Sequence, residues 1–216
     1  MAPTRTYGDR CGIARALDVV GDRWALLVVR ELILGPKRFT DLRAGLPNLG
    51  PDVLSQRLRD LEDAGVVRRG KLPPPAAARV YELTERGQEL EPILLGLGRW
   101  GSREEFPPGS ELGPDAAVLA LKTMFNPNFA GGLDATYELV LGENAYELHV
   151  TGGSISASRG APAKPDASIE TDPRTLTELL WRGRDLDEAQ DAGDAKLVGK
   201  LATILRFVKL FTAPTR

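Results

Sequence analysis

The sequence predicts two domains: a mostly helical α+β domain that ends in a short strand pair, and a second α+β domain built on a strand meander. Up to about Phe106, apolar residues recur at helical spacing, whereas beyond it two segments alternate apolar and polar residues as half-buried strands do. Between them, the Pro- and Gly-rich cluster Pro107–Ser110 interrupts both patterns. We therefore place the domains at residues 1–106 and 113–216, joined by a linker at residues 107–112.

The composition is that of an ordinary globular protein, with 42% hydrophobic and 27% charged residues among 216. No apolar run is long enough to span a membrane, and the first ten residues lack the apolar region of a secretory signal. We therefore expect a cytoplasmic protein with no membrane partner. With one cysteine and one histidine, we expect no metal site and no cofactor.

The charge balance differs between the two halves of the chain. Residues 1–105 hold 17 Lys and Arg against 15 Asp and Glu, whereas the remainder holds 11 against 15. A surplus of two positive charges is far below the basic footprint of many DNA-binding domains, so any nucleic-acid contact must depend on local clusters. One such cluster is Val66–Tyr81, which holds four cations and no carboxylate.

Four helices are predicted at the start of the first domain from their apolar spacing and from the residues that stop them. Gly21, Pro47 and Gly65 are three of these stops. The second helix is apolar almost all round, which is typical of a buried central helix. The four predicted helices are Ile13–Val20, Trp24–Leu34, Phe39–Leu46 and Pro51–Ala64.

Two short strands and a last helix complete the first domain. The strands Val66–Arg69 and Val80–Leu83 flank a Pro-rich loop, and Thr84 is a suitable N-cap for a helix that continues to Trp100. The order of four helices, a strand, a loop, a strand and a helix is that of a winged helix-turn-helix, mostly α with a β-wing.

The fourth helix has one apolar and one polar face. Leu54, Leu58 and Leu61 lie on one stripe, which we assign to the core. The N-terminal part of a recognition helix enters the major groove, and Arg, Gln and Ser side chains pair with base edges. On its own this is an ordinary amphipathic helix, but the short preceding helix and the cationic strand pair favour DNA binding. The predicted base-reading residues are Asp52, Ser55, Gln56 and Arg59.

A second group of predicted DNA-binding residues consists of cations and one hydroxyl, which lie where backbone phosphates are expected. Phosphate contacts supply much of the affinity of a DNA-binding protein. These residues are Lys37, Arg38, Thr40, Arg57, Arg68, Arg69, Lys71 and Arg79.

Several short motifs occur in a characteristic order. They are Cys11, Gly21-Asp22-Arg23-Trp24, Arg38-Phe39-Thr40-Asp41-Leu42, Leu54-Ser55-Gln56-Arg57-Leu58 and Tyr81-Glu82-Leu83-Thr84. Over residues 9–105 the chain closely resembles the HxlR-type winged helix-turn-helix transcriptional regulators of bacteria. The resemblance implies a homodimer, formed by the first and last helices of the domain, that acts as a repressor or activator on a pseudo-palindromic site in double-stranded DNA.

Cys11 has two interpretations. In some HxlR-type regulators the matching cysteine senses quinones, aldehydes or oxidants, which requires an exposed thiol shifted toward the thiolate. Arg10 and the start of the first helix favour that shift and Asp9 opposes it. The other interpretation is a small packing residue in a dimer interface.

The second domain is predicted to hold four helices and five strands. The helices are Ala116–Phe125, a helix capped by Asp172 that continues to Trp181, Asp185–Ala192 and Leu201–Phe211. The strands are Thr136–Leu141, Ala145–Val150, Ser154–Arg159, Ala167–Thr171 and Lys196–Val198.

The segments ASIETDPRTLTELLWRG and AQDAGDAKLVGKLATILRFVKLF resemble the end of sterol-carrier-protein-type lipid-binding domains. The resemblance implies a sheet packed by helices around an apolar cavity for a small hydrophobic ligand. Aromatic residues are also usually buried for packing alone, so each candidate has a plain core interpretation. The candidate cavity residues are Phe125, Tyr137, Leu180, Trp181, Phe207 and Phe211.

Together, the two domains predict a DNA-binding regulator that is controlled by a small hydrophobic ligand. Three other functions are considered beside it. A lipid or hydrophobic-metabolite carrier would use the second domain alone, and a thiol-based regulator would use Cys11. An enzyme would need a nucleophile with its base, a carboxylate pair or metal ligands. The sequence offers none of these in a recognisable motif, so we expect no enzymatic activity.

Overall fold

The structure is a computed structural model that describes residues 6–73, 77–104 and 110–213. The chain divides into two compact units, Met1–Leu94 and Leu95–Arg216. Residues 107–109 of the predicted linker, and residues 74–76 of the predicted Pro-rich loop, lie outside the described residues.

The elements of the first unit follow the predicted order, and its last helix continues past Leu94. They are α1 (Gly12–Val20), α2 (Ala25–Ile33), α3 (Phe39–Gly45), α4 (Pro51–Asp63), β1 (Val67–Lys71), β2 (Arg79–Leu83), α5 (Glu85–Gln88) and α6 (Glu91–Gly101).

The core of the first unit lies between α2 and the apolar face of α4. Leu54, Leu58 and Leu61 are buried, as their spacing predicts, and they join one cluster with Val28 and Val29 of α2. The polar face of α4 is therefore turned away from this core, because positions three and four apart share one side of a helix.

The wing is an antiparallel pair in which Val67 faces Leu83 and Lys71 faces Arg79. Lys37, two residues before α3, forms an isolated antiparallel bridge with Tyr81 through two backbone hydrogen bonds of 3.0 and 2.8 Å. The first unit is thus a winged helix-turn-helix in which the wing is joined to the start of α3.

Two details differ from the sequence-based expectation. The predicted last helix is divided into α5 and α6 at Glu89 and Leu90. Pro92 explains the break, because proline has no N–H to donate and its ring clashes with the carbonyl four residues earlier. Trp24, predicted inside α2, lies before it with a left-handed φ of 80°, and the Arg23 guanidinium lies 5.3 Å from its ring.

The second unit is α+β, and the four helices and five strands of its described residues match the predicted ones in type and order, whereas its 3₁₀ turn was not predicted. The elements are α7 (Pro114–Met124), a 3₁₀ turn (Pro127–Phe129), β3 (Ala135–Leu141), β4 (Asn144–Thr151), β5 (Ser154–Arg159), β6 (Ala167–Thr171), α8 (Pro173–Trp181), α9 (Leu186–Asp191), β7 (Lys196–Gly199) and α10 (Leu201–Lys209).

The sheet of the second unit has five strands in the order β5-β4-β3-β6-β7. The β3–β6 pair is parallel, and the other three pairs of this sheet are antiparallel. After β3 the chain forms β4 and β5 on one side and then returns to the other side of β3 as β6. On β3 and β4 buried residues alternate with half-buried ones, which confirms the predicted pattern. Asp172 caps α8 as predicted, since its carboxylate accepts from the N–H groups of Arg174 and Thr175.

None of the helices within the described residues is long and apolar enough to cross a membrane.

Candidate functional site

The polar face of α4 carries an ordered row of side chains. Arg59 Nη2 donates to Gln56 Oε1 at 2.7 Å, and Gln56 Nε2 donates to Asp60 Oδ1 at 2.7 Å. Gln56 and Arg59 are exposed, as is Asp52, and Ser55 is half-buried. The arrangement holds amide and guanidinium groups at the helix surface, where they can exchange these bonds for bonds to another molecule.

Arg57 has a different environment from its neighbours. Its guanidinium is mostly buried and pairs with Asp22 in the turn before α2, and with Asp60 at 3.1 Å. Arg57 therefore connects α4 to the α1–α2 turn, across 35 positions of sequence. The sequence could not show this contact, because it depends on how the helices pack.

The start of α3 exposes two of the predicted residues, Arg38 and Thr40. The backbone N–H of Arg38 donates to the Asp41 carboxylate at 3.3 Å, and Thr40 Oγ1 donates to the same carboxylate at 3.2 Å. Asp41 therefore holds the first turn of α3 and leaves the Arg38 side chain at the surface.

The cations at the base of the wing have acidic partners. Arg68 pairs with Glu82 across the strands at 2.9 Å, and Arg69 pairs with Glu62 of α4 at 3.0 Å. The hydrogen bond and charge of Glu62 raise the pKa of Arg69. Both acids lie just outside the carboxylate-free segment 66–81, so the sequence window overstated the local positive charge.

The cations at the outer end of the wing have no such partners. Lys71 and Arg79 lie directly opposite each other in the strand register, and both are exposed. Within the residues that the structure describes, neither has an ion-pair partner. Like charges placed opposite each other destabilise a strand pair, so this end of the wing favours a bound anion.

Lys37, which the sequence analysis placed among the phosphate contacts, is buried. Its ammonium is buried and lies 2.5 Å from Oε2 of Glu31, which is itself only 2% exposed. Arg30 binds the other oxygen of Glu31 at 2.7 Å. Gly45 leaves room for the carboxylate, because a Cβ at that position would lie 2.1 Å from Glu31 Oε2.

Cys11 is exposed at the N-cap of α1. The backbone N–H groups of Ile13 and Ala14, in the first turn of α1, lower the pKa of its thiol below the usual 9.0. The thiolate therefore forms more readily here than in a free peptide, because these N–H groups have no partner within the helix.

Four of the six predicted cavity residues form one aromatic row in the second unit. The ring centroids of Tyr137 and Phe207 lie 4.9 Å apart, those of Phe207 and Phe211 5.0 Å, and those of Phe211 and Phe125 6.4 Å. Tyr137, Phe207 and Phe211 are buried in this row. Burial raises the pKa of Tyr137, which fits a phenol held in the interior.

Leu180 and Trp181, the other two predicted cavity residues, are half-buried at the end of α8. The indole Nε1 of Trp181 is buried and has no hydrogen-bond partner within the described residues.

A cleft of about 310 Å³ lies at the ends of α6 and α7, and all of its lining residues belong to the second unit. Phe125 is the one predicted cavity residue that lines it. Arg99, Arg103 and Asn126 also line it, and sequence reasoning did not single them out. Among the described residues, no group of three or more His, Cys, Asp or Glu residues could hold a metal ion.

Comparisons with known proteins concern the first half of the chain. Residues 19–107 match the model of the HxlR-like helix-turn-helix family. The uncharacterized HTH-type transcriptional regulator YvaP of Bacillus subtilis is 41% identical over 88 residues, which are 41% of this chain and 82% of that protein. The HTH-type transcriptional regulator YodB of Bacillus subtilis is 32% identical over 88 residues, 41% of this chain and 79% of that protein.

A solved structure of the reduced form of YodB from B. subtilis is 29% identical to this chain. It covers 48% of this chain and 100% of its own, with a TM-score of 0.39.

The position of Lys37 predicts that its main role is structural. Lys37→Met should lower the free energy of unfolding by on the order of 3 kcal/mol, because it removes the ammonium that faces a buried carboxylate. The double variant Glu31→Met/Lys37→Met should recover most of this loss, because an apolar pair of similar size replaces the ions. Urea unfolding followed by circular dichroism measures both. Unchanged stability of the single variant would contradict the role of this pair.

Proposed function

The chain belongs to the HxlR-like helix-turn-helix family of transcriptional regulators, and on that premise we propose that it binds operator DNA sequence-specifically as a homodimer. The ordered polar face of α4 carries the proposal. Its Arg59 can bridge O6 and N7 of guanine, Gln56 can pair with adenine, and Ser55 can serve either base. Asp52 can accept a hydrogen bond from cytosine.

The proposed phosphate contacts are those of exposed side chains. Lys71 and Arg79 reach the backbone beside the recognition helix, and a phosphate between them offsets their mutual repulsion. Arg38 and Thr40, at the start of α3, contact the backbone on the other side of the helix-turn-helix. Arg57, Arg68 and Arg69 already have acidic partners, so their contribution is mainly to hold α4 and the wing in position.

The proposal is tested with fluorescence anisotropy, using the intergenic duplex upstream of the chain's own gene and a shuffled duplex. Both titrations are run at ~150 mM salt, because the affinity of such a protein depends steeply on salt. We expect a preference of ~10³ or more for the native duplex. Equal, weak binding to both duplexes would contradict sequence-specific recognition. It would favour a lipid-carrier function of the second unit instead.

Two variants separate base reading from phosphate contact. Arg59→Ala should cost ~1–3 kcal/mol on the native duplex and relax one base position, whereas Lys71→Ala should weaken all sequences alike and lower the salt slope by about one. Arg182→Ala, at an exposed arginine of the second unit, is the matched control. An unchanged base preference in Arg59→Ala would remove its role as a reader.

Exposed apolar residues at helical spacing support the homodimer. On α1, Ile13 and Leu17 are 72% and 43% exposed, and on α6, Ile93, Leu97 and Trp100 are 59%, 47% and 67% exposed. A helix face of this kind favours contact with another apolar surface. We propose that a second copy of the chain covers both faces, so that two copies of α4 reach successive major grooves.

Leu97→Glu tests this interface. We expect it to shift the mass measured by light scattering after size exclusion from dimer toward monomer, because a carboxylate would be buried without a partner. Gln88→Glu, which adds the same charge at an exposed position of α5, should leave the dimer intact. A dimer that persists in Leu97→Glu, with native circular dichroism, would place the interface elsewhere.

For the second unit we propose a sterol-carrier-protein-like domain that binds a small hydrophobic ligand and thereby controls DNA binding. The five-stranded sheet of this unit, in its α+β order of elements, supports this proposal. A ligand changes operator affinity only if it binds the DNA-competent and the incompetent state with different strength.

The environment of Cys11 favours a second candidate function, thiol-based regulation. Because backbone N–H groups lower the pKa of its thiol, we expect alkylation by iodoacetamide to reach half its maximal rate at a lower pH in the folded chain than in the same chain unfolded in urea. Equal midpoints would contradict the shift. If Cys11 is the sensor, Cys11→Ser abolishes any effect of a quinone or peroxide on operator affinity. A retained effect would remove this candidate.

A further inference from the structure

The cleft at the ends of α6 and α7 has an unusual balance of hydrogen-bonding groups. Its hydroxyl groups already donate to backbone carbonyls: Ser102 to Arg99, Thr123 to Leu119, and Thr212 to Met124. These three side chains stabilise the walls and leave no hydroxyl hydrogen for a ligand, because each hydroxyl has a single donor.

The donors that remain in the cleft belong to two arginines and one amide. Arg99 donates one N–H to the carbonyl of Thr123 at 2.8 Å, and a guanidinium has five. Arg103 has no ion-pair partner within the described residues. Asn126 uses its Oδ1 to accept from the N–H of Asn128, which leaves its NH₂ group as a donor. None of the lining residues is Asp or Glu.

The two guanidinium groups favour an anion through their charge, because the described lining of the cleft holds no carboxylate to pair with them. Arg99 lies in the last turn of α6 and Arg103 lies two residues beyond its end, and both line the cleft. A carboxylate bound between them would meet two cations and could accept forked hydrogen bonds from each guanidinium.

The other wall of the cleft is apolar. Met124, Phe125 and Pro127 line it, and Phe125 is the outer member of the aromatic row that continues through Phe211 into the interior. Backbone hydrogen bonds close this wall, from Asn126 N–H to the Leu210 carbonyl at 2.8 Å and from Thr212 N–H to the Met124 carbonyl at 3.0 Å. The wall is therefore a firm surface for an apolar group.

We infer that this cleft binds a small organic anion, whose charged group lies between Arg99 and Arg103 and whose apolar part lies on Met124, Phe125 and Pro127. A volume of about 310 Å³ is at the small end for ligand pockets, so it fits a compact aromatic or short-chain acid rather than a sterol. As the effector site of a regulator the inference rests on the proposed function, whereas anion binding itself does not.

The test uses isothermal titration calorimetry of the full chain, without DNA, with 1-naphthoate and with the neutral analogue 1-naphthylmethanol. We expect saturable binding of 1-naphthoate and at least ten-fold weaker binding of the alcohol. Arg103→Gln should weaken 1-naphthoate about ten-fold, or about 1.4 kcal/mol, and leave the alcohol unchanged. Arg182→Gln, a matched change at an arginine outside the cleft, should have no effect.

Equal affinity for the acid and the alcohol would overturn the inference. The same holds if 1-naphthoate binds equally well to wild type, Arg99→Gln and Arg103→Gln, because neither guanidinium would then hold the acid. Using two arginine variants keeps the test valid if Arg99→Gln disturbs the contact with Thr123.

A separate DNA titration distinguishes failure of this inference from failure of the proposed function. If the wild type does not prefer its native duplex, the proposed DNA-binding function is contradicted, whereas the calorimetric evidence for anion binding is unaffected. If 1-naphthoate shifts operator affinity in wild type but not in Arg103→Gln, the effector role is supported. If 1-naphthoate binds the wild type but leaves its operator affinity unchanged, the effector role is overturned.

Discussion

The buried ion pair between Glu31 and Lys37 is the constraint on which the geometry of the first unit depends. It joins the last turn of α2 to Lys37, two residues before α3, and the backbone of Lys37 pairs with the wing at Tyr81. A buried pair gains little net stability over an apolar pair, but its ions must find each other in one arrangement. The pair therefore links the start of α3 and the wing to the central helix.

Acidic partners then divide the cations of the first unit into two groups. Asp22, Glu62 and Glu82 pair with Arg57, Arg69 and Arg68, which holds α4 and the base of the wing. Arg59, Lys71 and Arg79 remain exposed beyond them. This division explains how a domain with a surplus of only two positive charges can present a local cationic surface, because Asp22, Glu62 and Glu82 pair with other cations and leave these three without an acidic partner among the described residues.

Local sequence patterns predicted the helices and strands well, but they did not predict contacts between residues that are distant in the sequence. Strand alternation, Gly and Pro stops and the Asp172 cap placed most helices and strands within a few residues. The division between α5 and α6 was missed, although Pro92 was visible. For the site, the exposed face of α4 followed from its leucine stripe. The burial of Lys37 and the pairing of Arg57 with Asp22 depend on tertiary packing, which no spacing rule contains.

The second unit illustrates the same limit for ligand sites. Choosing aromatic residues by their tendency to be buried selected Tyr137, Phe207 and Phe211, and these residues fill the interior with one another. A binding site requires the opposite: space that side chains leave open, bordered by polar groups with unused donors. In the sequence, an arginine that borders a binding site cannot be distinguished from any other solvated arginine. Only the packing of α6 beside the end of α7, where Arg99 donates to Thr123, distinguishes the two arginines of the cleft from the others on the surface.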